Sequence, residues 1–296
     1  MNQNYIFSCE STADLPYDYL KERNVEIIFY SYLINGTLYE DNMGRSKEAS
    51  DKFYQLIDEG HLPSTSQINK YQYLDYFEKL IKNSDNVLHI AFSSGLTPSI
   101  NNAKEAAKEL MEENPNKNII VIDTKCGASG YGLLMDYVLD MRDKGESIEN
   151  IIKWINENSN KVHHHFFSTD LRLFRRSGRV SNLSAFVGTI LGICPIMHLN
   201  KSGKIIAHAK ARGKRGAANM ILNQMKEHAQ NDLEYDGKCY ISHANFLEEA
   251  LFLKSKIESE FKNIKEIQIH EIGNIIGSHC GPGTIALFFM GDEREQ

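Results

Sequence analysis

The sequence predicts an α/β protein of two domains, and three observations carry that expectation. Short apolar runs alternate with helical stretches along the first half of the chain. Two of those runs, Val87 to Phe92 and Asn118 to Asp123, are apolar on successive residues, as strands buried on both faces of a parallel sheet require. The 296 residues are long enough for two cores. The expected division is 1–161, a parallel-sheet α/β/α domain, and 162–296, a mixed-sheet α/β domain.

In chain order, Tyr5 to Phe7 opens a strand, a polar turn follows from Ser8 to Pro16, and Tyr17 to Arg23 forms a helix. Val25 to Leu33 reads as one second strand. Ser50 to Glu59 is a helix with Ser50 as its N-cap and Gly60 as its stop. The hydroxyl-dense segment Leu62-Pro63-Ser64-Thr65-Ser66-Gln67 reads as a loop before the helix Tyr71 to Lys82. The strand Val87 to Phe92 then breaks into Ser93-Ser94-Gly95-Leu96-Thr97-Pro98 ahead of a helix from Asn101 to Glu113. Such a junction leaves backbone N–H groups unpaired beside Ser93, Ser94 and Thr97, a setting suited to an anion. Gly127, Gly130 and Gly132 lead into a helix running through Met141; their spacing is not the dinucleotide fingerprint and points to close helix packing. A helix from Ser147 to Ser159 closes the first half.

In the second half, Val162 to Phe167 is a strand that places His163 and His165 on one face and His164 on the other. A metal site needs more ligands than this strand supplies, and none is expected. Leu171 to Arg176 is a short helix stopped by Gly178, and Ile196 to Leu199 pairs with Lys204 to Ala209 in a hairpin. Helix, strand, helix, strand and strand follow, with Ile275 to Thr284 read as a tight glycine- and proline-rich turn carrying His279.

Composition narrows the function classes. Hydrophobic residues make up 42% of the chain and charged residues 24%, as in an ordinary globular protein. The opening Met1-Asn2-Gln3-Asn4-Tyr5 lacks a basic region and a long apolar run, so neither a signal peptide nor a transmembrane segment is expected and cytoplasm is the expected location. Five cysteines without a CxxC pair argue against a disulfide framework. Net charge is −6, yet Leu171 to Lys226 holds eleven Lys and Arg and no acid. No nucleic-acid recognition motif accompanies that block, so nucleic acid is not an expected partner.

Several segments in fixed order resemble the DegV family across essentially the whole chain: Ser11-Thr12-Ala13-Asp14-Leu15-Pro16, Thr65-Ser66-Gln67, Ser93-Ser94-Gly95-Leu96, Leu173-Phe174-Arg175-Arg176-Ser177-Gly178-Arg179 and Gly277-Ser278-His279-Cys280-Gly281-Pro282-Gly283. The resemblance implies a fatty-acid-binding protein without catalytic residues or cofactor, which holds a long-chain fatty acid and presents it to a separate ATP-binding fatty acid kinase. It implies Thr65, Ser93, Ser94 and His279 at the head group, and Arg176, Arg179, Arg212, Lys214 and Arg215 facing phosphate or kinase. Phe167, Phe186, Val187, Ile190 and Leu191 are the expected acyl-tunnel residues. Cys9-Glu10, Ile68, Thr97-Pro98, Ser177 and Cys194 depart from the family pattern. An alternative is a Ser/His esterase, since Ser94, Asp123 and His279 stand in the chain order of an α/β-hydrolase triad, although no Gly-x-Ser-x-Gly elbow surrounds Ser94.

Overall fold

The computed structural model describes residues 5–183 and 192–296. Its first sheet is parallel, in the order β2-β1-β6-β7, from β1 (Tyr5–Glu10), β2 (Val25–Ile28), β6 (Asn86–Ala91) and β7 (Asn118–Asp123). β6 is buried from Val87 onward, which accounts for its unbroken apolar run. Around this sheet lie α1 (Tyr17–Glu22), α3 (Lys70–Ile81) and α4 (Ser99–Glu113), while α2 (Lys47–Asp58) sets its Phe53 edge-on against Tyr32. Asn69 and Gln72 close a reciprocal capping box at the start of α3.

A small antiparallel sheet, β4-β3-β5, joins β3 (Ser31–Ile34), β4 (Thr37–Glu40) and β5 (Ser64–Ser66). The single strand expected over Val25 to Leu33 is therefore two strands in two sheets. The break falls at Tyr30, whose N–H donates to Ser11 Oγ at 3.2 Å and whose carbonyl accepts from Asp41 N at 2.9 Å, so its backbone is taken out of the ladder. The loop expected over Leu62 to Gln67 is zipped onto β3, with Thr65 opposite Tyr32. α2 starts earlier than expected because Ser46, not Ser50, caps it; the Ser50 hydroxyl instead receives Asn42 Nδ2 at 3.0 Å.

Every strand from Val162 onward belongs to a mixed sheet, β13-β12-β14-β8-β10-β11-β9. It comprises β8 (Val162–Ser168), β9 (Val180–Ser181), β10 (Ile193–Leu199), β11 (Ile205–Arg212), β12 (Lys238–His243), β13 (Glu266–Glu271) and β14 (Thr284–Met290). Helix α5 (Ala128–Asp143) packs between this sheet and the Ser11–Ala13 turn that follows β1, so it is buried almost all round. Its glycines are the close-packing points the spacing implied: a Cβ on Gly130 would collide with the His164 imidazole, and one on Gly132 would come within 2.5 Å of the Ala13 carbonyl oxygen. α6 (Ile148–Asn158) follows, capped by Ser147, and then α7 (Arg172–Ser177), which ends at Gly178 with φ +64°. The large sheet also carries α8 (Gly213–His228) and α9 (Leu247–Glu260), while α10 (Asn274–Cys280) packs against α7, β3 and β5.

The β10–β11 hairpin reaches back to the first sheet. Its tip meets the loop after β6 main chain to main chain: a Cβ on Gly95 would lie 2.5 Å from the carbonyl of Gly203, and Gly203 itself sits at φ +72°. Among the described residues, no helix is long and apolar enough to cross a membrane.

Candidate functional site

Between the strand-to-helix loops of the parallel sheet and one face of the large sheet lies a cavity of about 390 Å³. That volume falls within the range of small-ligand pockets, and the position outside the carboxyl ends of parallel strands is where α/β sheets place ligands. Its walls are mostly apolar. Phe92 and Leu96 come from the loop after β6, Phe166 and Phe288 from the large sheet, Phe174 from α7, and Ile275 and Ile276 from α10. The polar lining includes Thr65, Ser66, Gln67, Ser177, Arg179 and His279.

The Thr65–His279 pair is assembled by the small sheet. Thr65 sits at the centre of β5, held opposite Tyr32 of β3. Tyr32 in turn accepts from Asn274 Nδ2 at 2.8 Å, which docks the start of α10 against the same sheet. Tyr54 of α2 donates to the Ile272 carbonyl at 2.8 Å and fixes the chain just before that helix. Gly277 admits the close approach, since a Cβ there would stand 3.0 Å from both Phe53 and Tyr54. His279 therefore lies in the last turn of a helix, not in an irregular turn, and Gly281 with φ +73° ends that helix. The result is a 2.8 Å hydrogen bond between Thr65 Oγ1 and His279 Nε2, across 214 residues of sequence. Burial, followed by the positive charges of Arg179 and Arg176, lowers the His279 pKa to about 4. The ring is neutral at pH 7 and has one donor and one acceptor nitrogen.

Arg176 donates to the Pro63 carbonyl and ties α7 to the segment before β5, while Arg179 lines the cavity directly. The other three bases are elsewhere. Lys214 Nζ lies 2.6 Å and Arg215 Nε 3.1 Å from the buried Glu249 carboxylate, and the Arg215 guanidinium stacks on Phe252. Arg212 ends β11, seven residues from the cavity-lining Ile205, a separation of about 20 Å in a strand. The five bases expected at one mouth therefore fall into two groups, not one ring.

Neither Ser93 nor Ser94 lines the cavity. Ser93 Oγ donates to the Gly203 carbonyl at 3.0 Å and accepts from Gly95 N at 3.1 Å, so it fastens the hairpin tip to its own loop. Ser94 Oγ accepts from Lys125 Nζ at 2.6 Å, and its N–H donates to Asp123 at 3.2 Å. The Ser94, Asp123 and His279 order is thus not realised as a hydrogen-bonded triad: Asp123 holds Ser94 N and Lys125, and His279 holds Thr65.

Phe167 is fully buried but on the face of β8 away from the cavity, and Phe166 takes the expected place in the wall. Strand alternation puts Phe166 with His164, but only the tertiary fold decides which parity faces a ligand. Phe186, Val187, Ile190 and Leu191 lie outside the described residues. Thr12 was not singled out from sequence, yet its hydroxyl is buried without a hydrogen-bond partner and lines the cavity. It lies within the Ser11–Ala13 turn after β1, in one of the motifs that carry the resemblance, which gives Thr12 no role.

Fold and site define a class: α/β proteins with a mostly apolar cavity where a parallel and a mixed sheet approach and a Thr–His pair in its lining. Residues 9–292 match a family model described as "Uncharacterised protein, DegV family". The chain belongs to the DegV family. It is 34% identical to a DegV domain-containing protein of Clostridium perfringens over 293 residues, covering 99% of each chain. A Lactococcus lactis DegV domain-containing protein is 30% identical over 279 residues, covering 94% of this chain and 95% of its own. Among solved structures, a fatty acid binding DegV family protein from Streptococcus agalactiae shares 25% identity with a TM-score of 0.82, covering 98% of this chain and all of that one. A DegV family protein from Thermus thermophilus has the same fold, with a TM-score of 0.86 at 23% identity over 98% of this chain and 100% of its own.

Proposed function

We propose that the protein binds a long-chain fatty acid, with the acyl chain along the apolar walls and the carboxylate at Thr65 and His279, and presents that carboxylate to a separate ATP-dependent fatty acid kinase. The observation that carries the reading is the Thr65–His279 hydrogen bond in the lining of a mostly apolar cavity. Each methylene buried there contributes about 0.8 kcal/mol, which favours a long hydrocarbon over a small polar ligand. A carboxylate taken out of water needs donors, and charge-assisted hydrogen bonds are the strong ones. The Thr65 hydroxyl donates to the carboxylate, and His279 Nε2–H donates to the Thr65 oxygen or to the second carboxylate oxygen. Arg179 supplies the compensating positive charge. Ser93 and Ser94 act indirectly, by holding the loop that carries Phe92 and Leu96.

The fatty acid binding of the Streptococcus agalactiae relative supports the ligand class. The exposed Arg176 and Arg179 beside the polar lining support a partner that handles phosphate, because transfer to a carboxylate spreads negative charge over the moving oxygens. Lys214 and Arg215 are assigned to positioning α8, through Glu248 and Glu249, ahead of any contact with the kinase, and Arg212 stands at the end of β11 beside them.

The test is to extract the purified protein with organic solvent and analyse the extract by mass spectrometry, then measure rebinding of the recovered lipid to stripped protein. A fatty acid in about equimolar amount is expected. A nucleotide in its place, or no rebinding, sinks the reading.

A further inference from the structure

The face of the large sheet opposite the cavity carries a concentration of imidazoles that lipid binding does not use. His165 of β8 stands opposite His198 of β10 in the antiparallel register. On β11 the register slips between Ile196 and Met197, so that Ala209 and Ala207 have partners and His208 is the extra residue of a bulge. Bulges re-aim a side chain at the cost of ladder pairing. Here the bulged side chain stacks on His198, with ring centroids 4.6 Å apart. Three adjacent strands thus bring His165, His198 and His208 together, each with a ring nitrogen within 4.8 Å of the others.

A hydrogen-bond relay fixes the tautomer of the buried member. His163 Nε2 lies 3.0 Å from an Asp292 carboxylate oxygen and 3.1 Å from the Asp292 carbonyl, both acceptors, so this nitrogen carries the proton. His163 Nδ1 is then an acceptor, and His165 Nε2, 3.1 Å away, must donate to it. Neutral His165 is left with a bare lone pair on Nδ1. That atom is buried and has no hydrogen-bond partner. Buried polar atoms rarely stay unpaired, and an orphaned imidazole lone pair beside two further histidines is the electronic arrangement of a metal ligand. A carboxylate acting through an imidazole on the far nitrogen is also the usual outer support of a metal-binding histidine.

We propose that His165, His198 and His208 form a three-histidine site for a divalent transition cation of the zinc class, with His163 and Asp292 as positioning residues and water at the fourth position. Imidazole donors select zinc, copper, nickel or iron over magnesium and calcium, which prefer oxygen. Bringing three nitrogens to about 2.0–2.1 Å from one ion requires rotation mainly of the half-exposed His198 and the exposed His208. The neighbouring set His163, His228 and Asp292 is also close enough to hold an ion, but its groups already satisfy one another through 3.0 and 3.2 Å hydrogen bonds. The ion would clamp β8 to the β10–β11 hairpin, on the opposite face of the sheet from the fatty acid cavity.

The experiment is titration of Zn²⁺ alone into the chelator-stripped full chain by calorimetry, with elemental analysis after gel filtration, repeated for His198→Ala, His208→Ala, Asp292→Asn and His228→Ala. One retained Zn²⁺ per chain is expected. His198→Ala and His208→Ala should each weaken binding at least tenfold, and Asp292→Asn about tenfold to a hundredfold as an outer-support substitution. His228→Ala should leave the affinity within about twofold, and Co²⁺ in place of Zn²⁺ should show the visible bands of a tetrahedral nitrogen-rich site. Circular dichroism of His208→Ala, altered at an exposed position, separates lost ligand from lost fold. The proposal is overturned by a chain that retains no Zn²⁺, by retention that survives the His198→Ala/His208→Ala double substitution, or by loss in His228→Ala with His208→Ala unaffected, which would move the ion to the neighbouring set.

Discussion

Burial and the neighbouring arginines lower the His279 pKa to about 4 before any ligand enters, so the ring meets the carboxylate neutral and acts through its hydrogen bond, with Thr65 as the contact donor. Losing a hydrogen bond to a charged group costs about 1.5–3 kcal/mol. Thr65→Ala should therefore weaken fatty acid binding roughly tenfold to a hundredfold in a displacement assay with a fluorescent fatty acid. Binding unchanged in that variant would remove Thr65 from the head group. The two phenylalanines of β8 should part company. Phe166→Ala enlarges the cavity and should change which chain length binds best. Phe167→Ala removes a fully buried ring from the other face, and should cost about 3–5 kcal/mol in urea denaturation while leaving chain-length preference alone. An equal shift in chain preference for both would show that the wall is misassigned. Charge reversal separates the bases in the same way: Arg179→Glu should impair both binding and kinase transfer, whereas Arg212→Glu, about 20 Å along its strand, should spare binding.

At the level of elements, α5 is the part most constrained from both sides. Gly→Ala in a helix interior ordinarily gains about 1 kcal/mol from propensity. At Gly132 that gain is opposed by a Cβ placed 2.5 Å from the Ala13 carbonyl oxygen, a backbone atom that cannot rotate away. Overpacking of this kind costs about 1–3 kcal/mol, so Gly132→Ala should be net destabilising, with a lower urea midpoint. A midpoint at or above that of the parent protein would show that the turn yields. The glycine spacing announced this contact because a helix packed on two sides leaves a mark in small residues. β6, β7 and α3 were legible for similar reasons, namely continuous apolar runs or a capped amphipathic period. β2 and β3 were not separated and β4 was not read, although Asn35-Gly36 between β3 and β4, both at positive φ, is the commonest short signal of a hairpin. The helix holding His279 was hidden by Gly277 within it and Gly281 and Gly283 just after it; Gly277 serves contacts with Phe53 and Tyr54 that no local pattern records. That Thr65 and His279 stand together was reachable only through resemblance, since nothing local links residues 214 apart; Phe166 was missed in favour of Phe167 because the face a strand turns to a ligand is a tertiary fact.

Over the whole molecule, burial sets the response to acid. His243, His270 and His279 all have pKa values lowered to about 4, in each case chiefly by burial. Between that value and their ordinary 6.5, the unfolded chain binds protons that the folded chain refuses, so stability is complete above pH 6.5 and is lost as pH falls towards 4. Asp41, raised to about 6 by burial, works in the opposite sense: its contribution is present at low pH and fades as pH rises through 6. His163 and His198, also lowered to about 4 chiefly by burial, add to the loss. The raised carboxyls of Asp14 and Glu271 oppose it together with Asp41, but the lowered imidazoles outnumber them and the urea midpoint should fall from pH 7 to pH 5. A midpoint that holds or rises over that interval would show that these rings are hydrated. The hairpin tip raises a different matter, that of inheritance. Gly95 and Gly203 meet through bare main chain, fastened by the Ser93 hydroxyl. A seam without side chains offers descent nothing to adjust by small steps. A lineage that gains a methyl group on either side must reshape both loops together, so drift elsewhere in the chain should pass this junction by and leave it as a fixed point of the architecture.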